Sequence, residues 1–549
     1  MPQPNDPCTC GSGKKFKKCC MKLTINSPRK PVDNHDRCMS AAQAAISSKD
    51  YRSAENYLRK ALAVKKKSAV ALASLGQCLC HLNRINEGIP YLCQAGKVLL
   101  TKAKVDRNLA NLLDLAYQLI HWHAPEEALI FAKACVHIDS KSANANYIAA
   151  LGFQGLNRFS EAYPWAVRAV DLAPQESNAI ILLAVLESKL DKLDDARHRL
   201  ERLVDTVSDH NTARAHMELG IILDKAEDYD GAFKHLTESG KINLASRGIR
   251  AIDKKAVYRD VREYKKSFNR QFIQSTGKRV LADDLPSPVF LIGFYRSGTT
   301  LAEQILAAHS QVVTSDETHI ITHVLNEILK ITSPSMTLPE RIKALDSDQI
   351  TYLRRHYWDV AVQTLGQGIL HKVLVDKTAM NTLNVELINI LFPNAIIIFA
   401  VRDPRDVCLS CFMQPFAISS LTVHFLSWEE GARFYDLIMN YWLSVRDSLS
   451  LRWVELRYED VLDDLELQFR PIFAKMGLDW SAECSEFYRH SQQKIIKTPS
   501  FDQVTRPLYT TSRQRWRNYE THFQTVLPIL DTYIKVYGYE TPFSLLLNK

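Results

Sequence analysis

The rhythm of apolar and polar positions along the 549-residue chain changes twice. Residues 1–30 hold Pro, Gly, Lys and Cys with almost no apolar positions, so this stretch lacks a core of its own and needs a staple. From 33 to 278, apolar residues recur at helical spacing and the helices read as pairs. Small residues open the second helix of successive pairs: Ala54, Gly88, Ala128, Ala162, Ala196 and Ala232. The steps from Ala54 to Gly88, Ala128 to Ala162 and Ala162 to Ala196 each span 34 residues. A small side chain is what two closely packed helices need where they cross. The clearest copy runs Gly152, Phe159, Ala162, Ala169, Pro174. From 285 to 549 the period shifts again. Short β-rich apolar runs at 288–294, 373–375, 395–401 and 453–456 alternate with amphipathic stretches such as 301–309 and 383–391. Pro286 and Pro288 mark the border. This alternation predicts a parallel sheet covered by helices on both faces.

Length implies three or four domain-sized units. Hydrophobic content of 46% and charged content of 24% are those of an ordinary globular protein. A net charge of +8 suits anionic ligands such as nucleotides and is too small a bias to argue for nucleic acid. The longest unbroken apolar runs, 179–186 and 395–401, fall far short of a membrane span. The start of the chain is polar and Lys-rich with no apolar h-region, so a cytoplasmic location is expected. Four of the twelve cysteines crowd into the first 20 residues, and metal binding with buried thiols elsewhere is expected over disulfides.

Three segments carry candidate chemistry. The opening Cys8-Thr-Cys10-Gly-Ser-Gly-Lys-Lys-Phe-Lys-Lys-Cys19-Cys20 offers four thiolates at a spacing that closes a tetrahedral zinc site with no open position, hence a structural or recruiting role. Its folding would depend on the metal. The run 288–294 leads into Gly293-Phe-Tyr-Arg296-Ser297-Gly298-Thr299-Thr300 and then a helix, which aims backbone N–H groups and a helix dipole at an anion. Thr299 stands where a nucleotide triphosphatase carries the phosphate-loop Lys, and Arg296 is the loop's cation. The run 395–401 ends in Arg402-Asp-Pro-Arg-Asp-Val-Cys408-Leu-Ser410-Cys411-Phe412, where Arg402 and Ser410 can grip one phosphate from two sides. Cys408 and Cys411 share a helical face, and packing explains them better than a metal half-site.

These segments resemble known families. The cysteine segment is similar to the SEC-C motif, which implies zinc on Cys8, Cys10, Cys19 and Cys20. The 34-residue recurrence resembles the tetratricopeptide signature, with about six units, several degenerate. The segment 290–301 resembles the 5′-phosphosulfate loop of sulfotransferases, especially the tyrosylprotein type and its bacterial relatives, which usually have Pro at the place of Tyr295. The segment from Arg402 to Ser410 resembles their 3′-phosphate motif. The resemblance implies a P-loop-like α/β sulfotransferase domain over 285–549, after repeats over 33–278 and the SEC-C segment over 1–30. It implies 3′-phosphoadenosine 5′-phosphosulfate (PAPS) as co-substrate, held by Arg296, Ser297, Gly298, Thr299, Thr300, Arg402 and Ser410. Two charge-assisted contacts to the 3′-phosphate, each about 1.5–3 kcal/mol, would separate PAPS from other adenine nucleotides.

The same resemblance puts a general base at Glu317 in Ser315-Asp316-Glu317-Thr318-His319, with Asp316 the near rival and His319 where the family has Arg. It puts a catalytic Lys at Lys377, at a strand's C-terminal edge, with Arg296 beside it. Tyr458 would contact the nucleotide, and Arg515, before Trp516, takes the place of a family Lys; Ser500 lies beside the position of a cofactor-binding Ser, which is Phe501 here. Five motifs occur in the family's order. The expected activity is sulfuryl transfer to a hydroxyl. The repeats favour a polypeptide acceptor, tyrosine included, or a protein partner; a glycan or small-molecule alcohol stays open. The alternatives are an adaptor with an inactive sulfotransferase domain, which the presence of Arg296, Glu317, Lys377, Arg402 and Ser410 counts against, and a kinase or ATPase, which the missing loop Lys counts against.

Overall fold

The computed structural model describes residues 34–540 apart from 83, 207–210, 277–280, 282, 492–507 and 509–511, together with residues 6, 15 and 18. Cys8, Cys10, Cys19, Cys20, Ser500 and Phe501 therefore lie outside the described residues. The chain forms two compact units, Met1–Pro174 and Gln175–Lys549.

In the first unit, helices pair in antiparallel fashion: Asn34–Ser47 with Tyr51–Val64, Ala69–His81 with Ile85–Asp106, Ala110–His121 with Pro125–Ile138, and Ala143–Gly155 with Phe159–Leu172. Asp50, Ser68 and Ser142 cap three of these helices by accepting the backbone N–H of Ser53, Ala71 and Ala145. Ala54, Ala128 and Ala162 are fully buried. At Gly88 a Cβ would stand 2.6 Å from both Cys80 Sγ and Gly76 O, so the small residue is a steric requirement at that crossing.

The second unit opens with two more helix pairs, Ser177–Lys189 with Leu193–Thr206 and Thr212–Lys225 with Tyr229–Ala245. The linker helix Ala256–Ser267 and the short helix Arg270–Thr276 follow. The sheet has five parallel strands in the order β2-β3-β1-β4-β5, where β1 is Val289–Gly293, β2 Val312–Thr314, β3 Val373–Lys377, β4 Ile396–Val401 and β5 Arg452–Arg457. Four of these strands follow the expected apolar runs. The three-residue β2 escaped the hydrophobic pattern because it is too short to show a period. β1 and β4 are buried along their whole length, as strands covered on both faces must be. Phe290, Ile292 and Phe399 face one apolar cluster, and Leu291, Ile398 and Ala400 face another.

The first of these clusters also contains Ile181, Leu200, Leu219 and Leu236, so the last two helix pairs share a core with the sheet. Gly240 lies so close to the 3₁₀ segment Thr422–Leu426 that a Cβ would sit 2.0 Å from Leu426 O. Among the described residues the cysteines are unpaired, and Cys78, Cys80, Cys135, Cys408, Cys411 and Cys484 are buried. Among those residues no three His, Cys, Asp or Glu side chains gather to hold a metal, and no helix is long and apolar enough to cross a membrane.

Candidate active site

Strand register brings the candidate residues to one edge of the sheet. Leu291 of β1 pairs with Lys377 of β3, and Gly293 of β1 pairs with Ala400 of β4. The loop after β1, the end of β3 and Arg402 after β4 therefore meet at the C-terminal ends of three adjacent strands. The chain leaves β1 toward the β3 side and leaves β4 toward β5. The two loops diverge there, and such a switch point opens the ligand crevice of an open parallel sheet.

The loop is held from within. Ser297 donates its hydroxyl to Phe294 O at 2.7 Å, and Thr382 donates to Gly293 O at 2.7 Å. Gly298 adopts φ +95°, and a Cβ there would stand 2.7 Å from Tyr458 Cδ2, so glycine is required twice over. Thr299 and Thr300 begin the helix Thr299–Ala307, whose first N–H groups have no intrahelical acceptor. Arg296 takes φ 61° and donates through Nε to Ser410 Oγ at 3.0 Å. Arg402 donates to Arg296 O at 3.4 Å, so Arg296 links Arg402 with Ser410. The Arg402 guanidinium stacks on the Tyr458 ring at 4.8 Å and donates to Ser512 O at 2.6 Å. Its Nε is buried without a partner, a donor in place for an anion.

Tyr458 thus reaches the site as a platform under Arg402, and its hydroxyl pairs with Ser512 at 2.7 Å. Arg515 instead forms an ion pair with Asp224 of the helix Thr212–Lys225, which also accepts from Tyr519 at 2.7 Å. Asp406 anchors the same tail by accepting the N–H groups of Gln514 and Trp516; burial pushes its carboxyl up to about 6.

The acidic segment packs against the end of β3. Lys377, fully buried, places Nζ 2.7 Å from Glu317 Oε1 and 3.2 Å from Glu303 Oε2. Burial alone would depress the Lys377 ammonium, but Glu303 and Glu317 together hold it above the usual lysine range. Burial pushes the Glu303 carboxyl up against the pull of Lys377. Glu303 also accepts the Asp316 N–H at 3.1 Å, and Ser315 Oγ accepts the Lys377 N–H at 2.9 Å. These bonds clamp a segment in which Asp316, Glu317 and His319 all have positive φ, at 46°, 59° and 53°. Left-handed backbone at non-glycine residues persists only where surrounding contacts over-determine it. Beneath, Asp376 accepts from Tyr357 at 2.8 Å, and burial pushes it up to about 6.

Glu303 was not among the sequence candidates. It sits inside Leu-Ala-Glu-Gln-Ile-Leu, where a polar pair in a helix reads as the solvent face. The helix is in fact buried all round, and an anion-loop helix covered on every side was the signal available. Glu317 and Tyr295 also line a cavity of about 690 Å³ that extends to the linker helix.

Residues 288–482 match the model of the sulfotransferase family. The chain carries a sulfotransferase-family domain. Residues 5–22 match the SEC-C motif and residues 181–239 a tetratricopeptide repeat, so all three resemblances drawn from the residues have a matching family model. An uncharacterized protein of Aquifex aeolicus (strain VF5) is 29% identical over 353 residues, which are 61% of this chain and 44% of that protein. The chain thus spans less than half the length of this curated relative. Among solved structures, the sulfotransferase domain of the Synechococcus PCC 7002 olefin synthase aligns at 18% identity and a TM-score of 0.31, over 48% of this chain and all of that domain. Pseudomonas aeruginosa PilF aligns at 16% identity and a TM-score of 0.29, over 40% of this chain and 96% of its own. The matched span starts at the residue before β1, and both Lys377 and Arg402 lie inside it.

Proposed function

We propose that this chain transfers a sulfuryl group from PAPS to an acceptor hydroxyl. The observation that carries the reading is the buried ammonium of Lys377, bracketed by Glu303 and Glu317 beside an anion loop with no lysine. The 5′-phosphosulfate lies against the loop 293–300, with Arg296 and the first turn of the following helix donating to its oxygens. The 3′-phosphate lies between Arg402 and Ser410, where the partnerless Arg402 Nε supports an anion.

The acceptor hydroxyl gives its proton to Glu317 as its oxygen attacks sulfur. The new O–S bond forms as the bond from sulfur to the bridging phosphate oxygen breaks. The products are a sulfate ester, adenosine 3′,5′-bisphosphate and one proton, which rests on Glu317. Neutralising Glu317 weakens its hold on Lys377 as negative charge builds on the leaving phosphate, so the ammonium's field passes to the leaving group. Glu303 keeps Lys377 charged and in place throughout. Glu317 lines the cavity and contacts Lys377, and Asp316 is not among the lining residues, which favours Glu317 over it as base. Tyr458 supports Arg402, and Arg515 anchors the tail to the last repeats.

The SEC-C segment binds zinc through Cys8, Cys10, Cys19 and Cys20, on the four-thiolate spacing; metal analysis should give one zinc per chain, lost when all four are changed to Ser. The repeats offer a surface for a protein partner, and the protein works in the cytoplasm.

Calorimetry with adenosine 3′,5′-bisphosphate tests the reading, with ATP and Arg402→Ala alongside. Binding that ATP does not match and the variant loses by about tenfold or more is expected. No binding by the folded wild-type protein would transfer the weight to the adaptor alternative.

A further inference from the structure

The cavity of about 690 Å³ beside Glu317 falls in the size range, about 300–1,000 Å³, of sites that enclose a small organic ligand. One of its walls is built outside the matched sulfotransferase span. The linker helix Ala256–Ser267, between the last repeat and β1, contributes Ala256, Val257, Val261 and Tyr264. Leu338, Met380 and Leu421 also line it. Four ionisable residues of the linker helix also line the cavity, Arg259, Asp260, Arg262 and Glu263, two of each sign. Glu317 is already matched by Lys377. Arg259 pairs with Asp253 outside the lining, so apolar side chains share the cavity with charges of both signs.

Two polar residues of the lining have unmet hydrogen-bonding capacity. Asn381 is 4% exposed, and its Nδ2 has no partner, while its Oδ1 accepts from Asn384 at 3.2 Å. Thr378 Oγ1 is also buried and unpartnered. Both residues line the cavity. The cavity thus offers an acceptor hydroxyl both a carboxylate that can take its proton, Glu317, and amide and hydroxyl groups with unmet hydrogen bonds, Asn381 and Thr378. Burial of the rest of the molecule against Val257, Val261 and Leu421 supplies affinity without charge.

We propose that the acceptor is an uncharged small molecule with an apolar body and one hydroxyl, a phenol or an aliphatic alcohol, and that the linker helix selects it. This rests on the sulfuryl-transfer reading and adds to it the substrate class and the element that sets it. The repeat array, through the helix that ends it, becomes part of the acceptor site.

The test uses the full chain, adenosine 3′,5′-bisphosphate, 2-naphthol, 1-decanol and a tyrosine-containing acidic peptide. Binding of 2-naphthol is followed by its fluorescence in the presence of the bisphosphate, and transfer is followed with sulfur-labelled PAPS. Label is expected on 2-naphthol or 1-decanol in preference to the peptide. Ala256→Trp narrows the cavity and should weaken 2-naphthol binding about tenfold or more, a loss of about 1.4 kcal/mol, with bisphosphate affinity unchanged. Val261→Ala widens it and should shift the ratio of kcat/KM toward a bulkier phenol such as 4-phenylphenol. Label on the peptide alone, or an acceptor preference that neither variant moves, overturns the proposal while leaving sulfuryl transfer intact. A wild-type protein that fails to bind the bisphosphate overturns the reading beneath it, and this proposal with it.

Discussion

Replacing Lys377 with Met separates what the ammonium does for folding from what it does for transfer. Its two carboxylates differ sharply in surroundings: Glu303 is fully buried, whereas the Glu317 side chain is 42% exposed. At 3.2 Å and an effective dielectric of about 20, the gross attraction between Lys377 and Glu303 is about 5 kcal/mol. Glu317 can turn to water when Lys377 is gone, and Glu303 cannot. The stability loss therefore arises from Glu303 and should reach about 3–5 kcal/mol, the cost of stripping one partner from a buried pair. Glu303 can escape part of this by binding a proton. A folded-state carboxyl pKa raised above its unfolded value favours the folded state at low pH and loses that advantage as pH rises. The K377M deficit should thus be smaller at pH 5.5 than at pH 8. Adding Glu303→Gln removes the stranded carboxylate and should restore most of the unfolding midpoint. Transfer should not recover, because a preorganised cation at the developing charge is worth about 10²–10³ in kcat. Chemical unfolding at the two pH values, bisphosphate binding and labelled-sulfate turnover read the three quantities. A double variant within tenfold of wild-type kcat would refute the catalytic role of Lys377; a single variant as stable as wild type at pH 8 would refute the buried triad.

Gly298→Ala adds a Cβ at φ +95° and 2.7 Å from the Tyr458 ring that supports Arg402, so bisphosphate affinity should fall by about tenfold or more; calorimetry at wild-type strength would count against this loop geometry. Gly240→Ala drives a Cβ onto Leu426 O, and overpacking of about 1–3 kcal/mol should lower the unfolding midpoint by several degrees if the last repeat is part of the catalytic unit; scanning calorimetry decides. Burial pushes Glu386 up to about 7 from an ordinary 4.5 while it accepts from Tyr441, so wild-type stability should fall as pH rises through that window. Glu386→Gln keeps an acceptor for Tyr441 and should gain about 3 kcal/mol on wild type between pH 4.5 and pH 8; parallel unfolding curves would show Glu386 to be exposed or unshifted.

The parts of the site that the sequence made legible are those encoded within a few residues. Strand, turn and helix occur in one unbroken stretch from Val289 to Ala307, so the anion loop could be read from glycine positions and an apolar run. The same holds for β4 running into Arg402 and Ser410. What could not be read is whatever depends on contact between distant segments. Glu303 and Lys377 stand 74 positions apart, and the polarity of Glu303 argued for the solvent face of its helix until burial and Lys377 gave it another role. Tyr458 stacks under Arg402, and a Cβ at Gly298 on another segment would meet its ring, contacts that no local pattern announces. Arg515 pairs with Asp224 across 291 positions, and no local pattern announces that.

The extent of the second compact unit illustrates the same limit. Periodicity places the change from repeats to sheet near residue 285, and the sulfotransferase match starts at residue 288. Packing draws its line elsewhere, at Pro174, because helices from Ser177 onward bury their apolar faces in the core of the sheet. A repeat helix alone cannot cover its own hydrophobic face and must stack on a neighbour. Here the neighbours of the last repeat helix, Tyr229–Ala245, include the segments Thr422–Leu426 and Arg515–Phe523 that follow the sheet's fourth strand. The linker-helix residues that line the cavity beside Glu317, among them Ala256, Val261 and Tyr264, lie in the segment between those two boundaries. If the proposed chemistry of the loop, Lys377 and Arg402 holds, it can stay constant while the acceptor changes, since the helix that joins repeat to sheet lines the cavity beside Glu317.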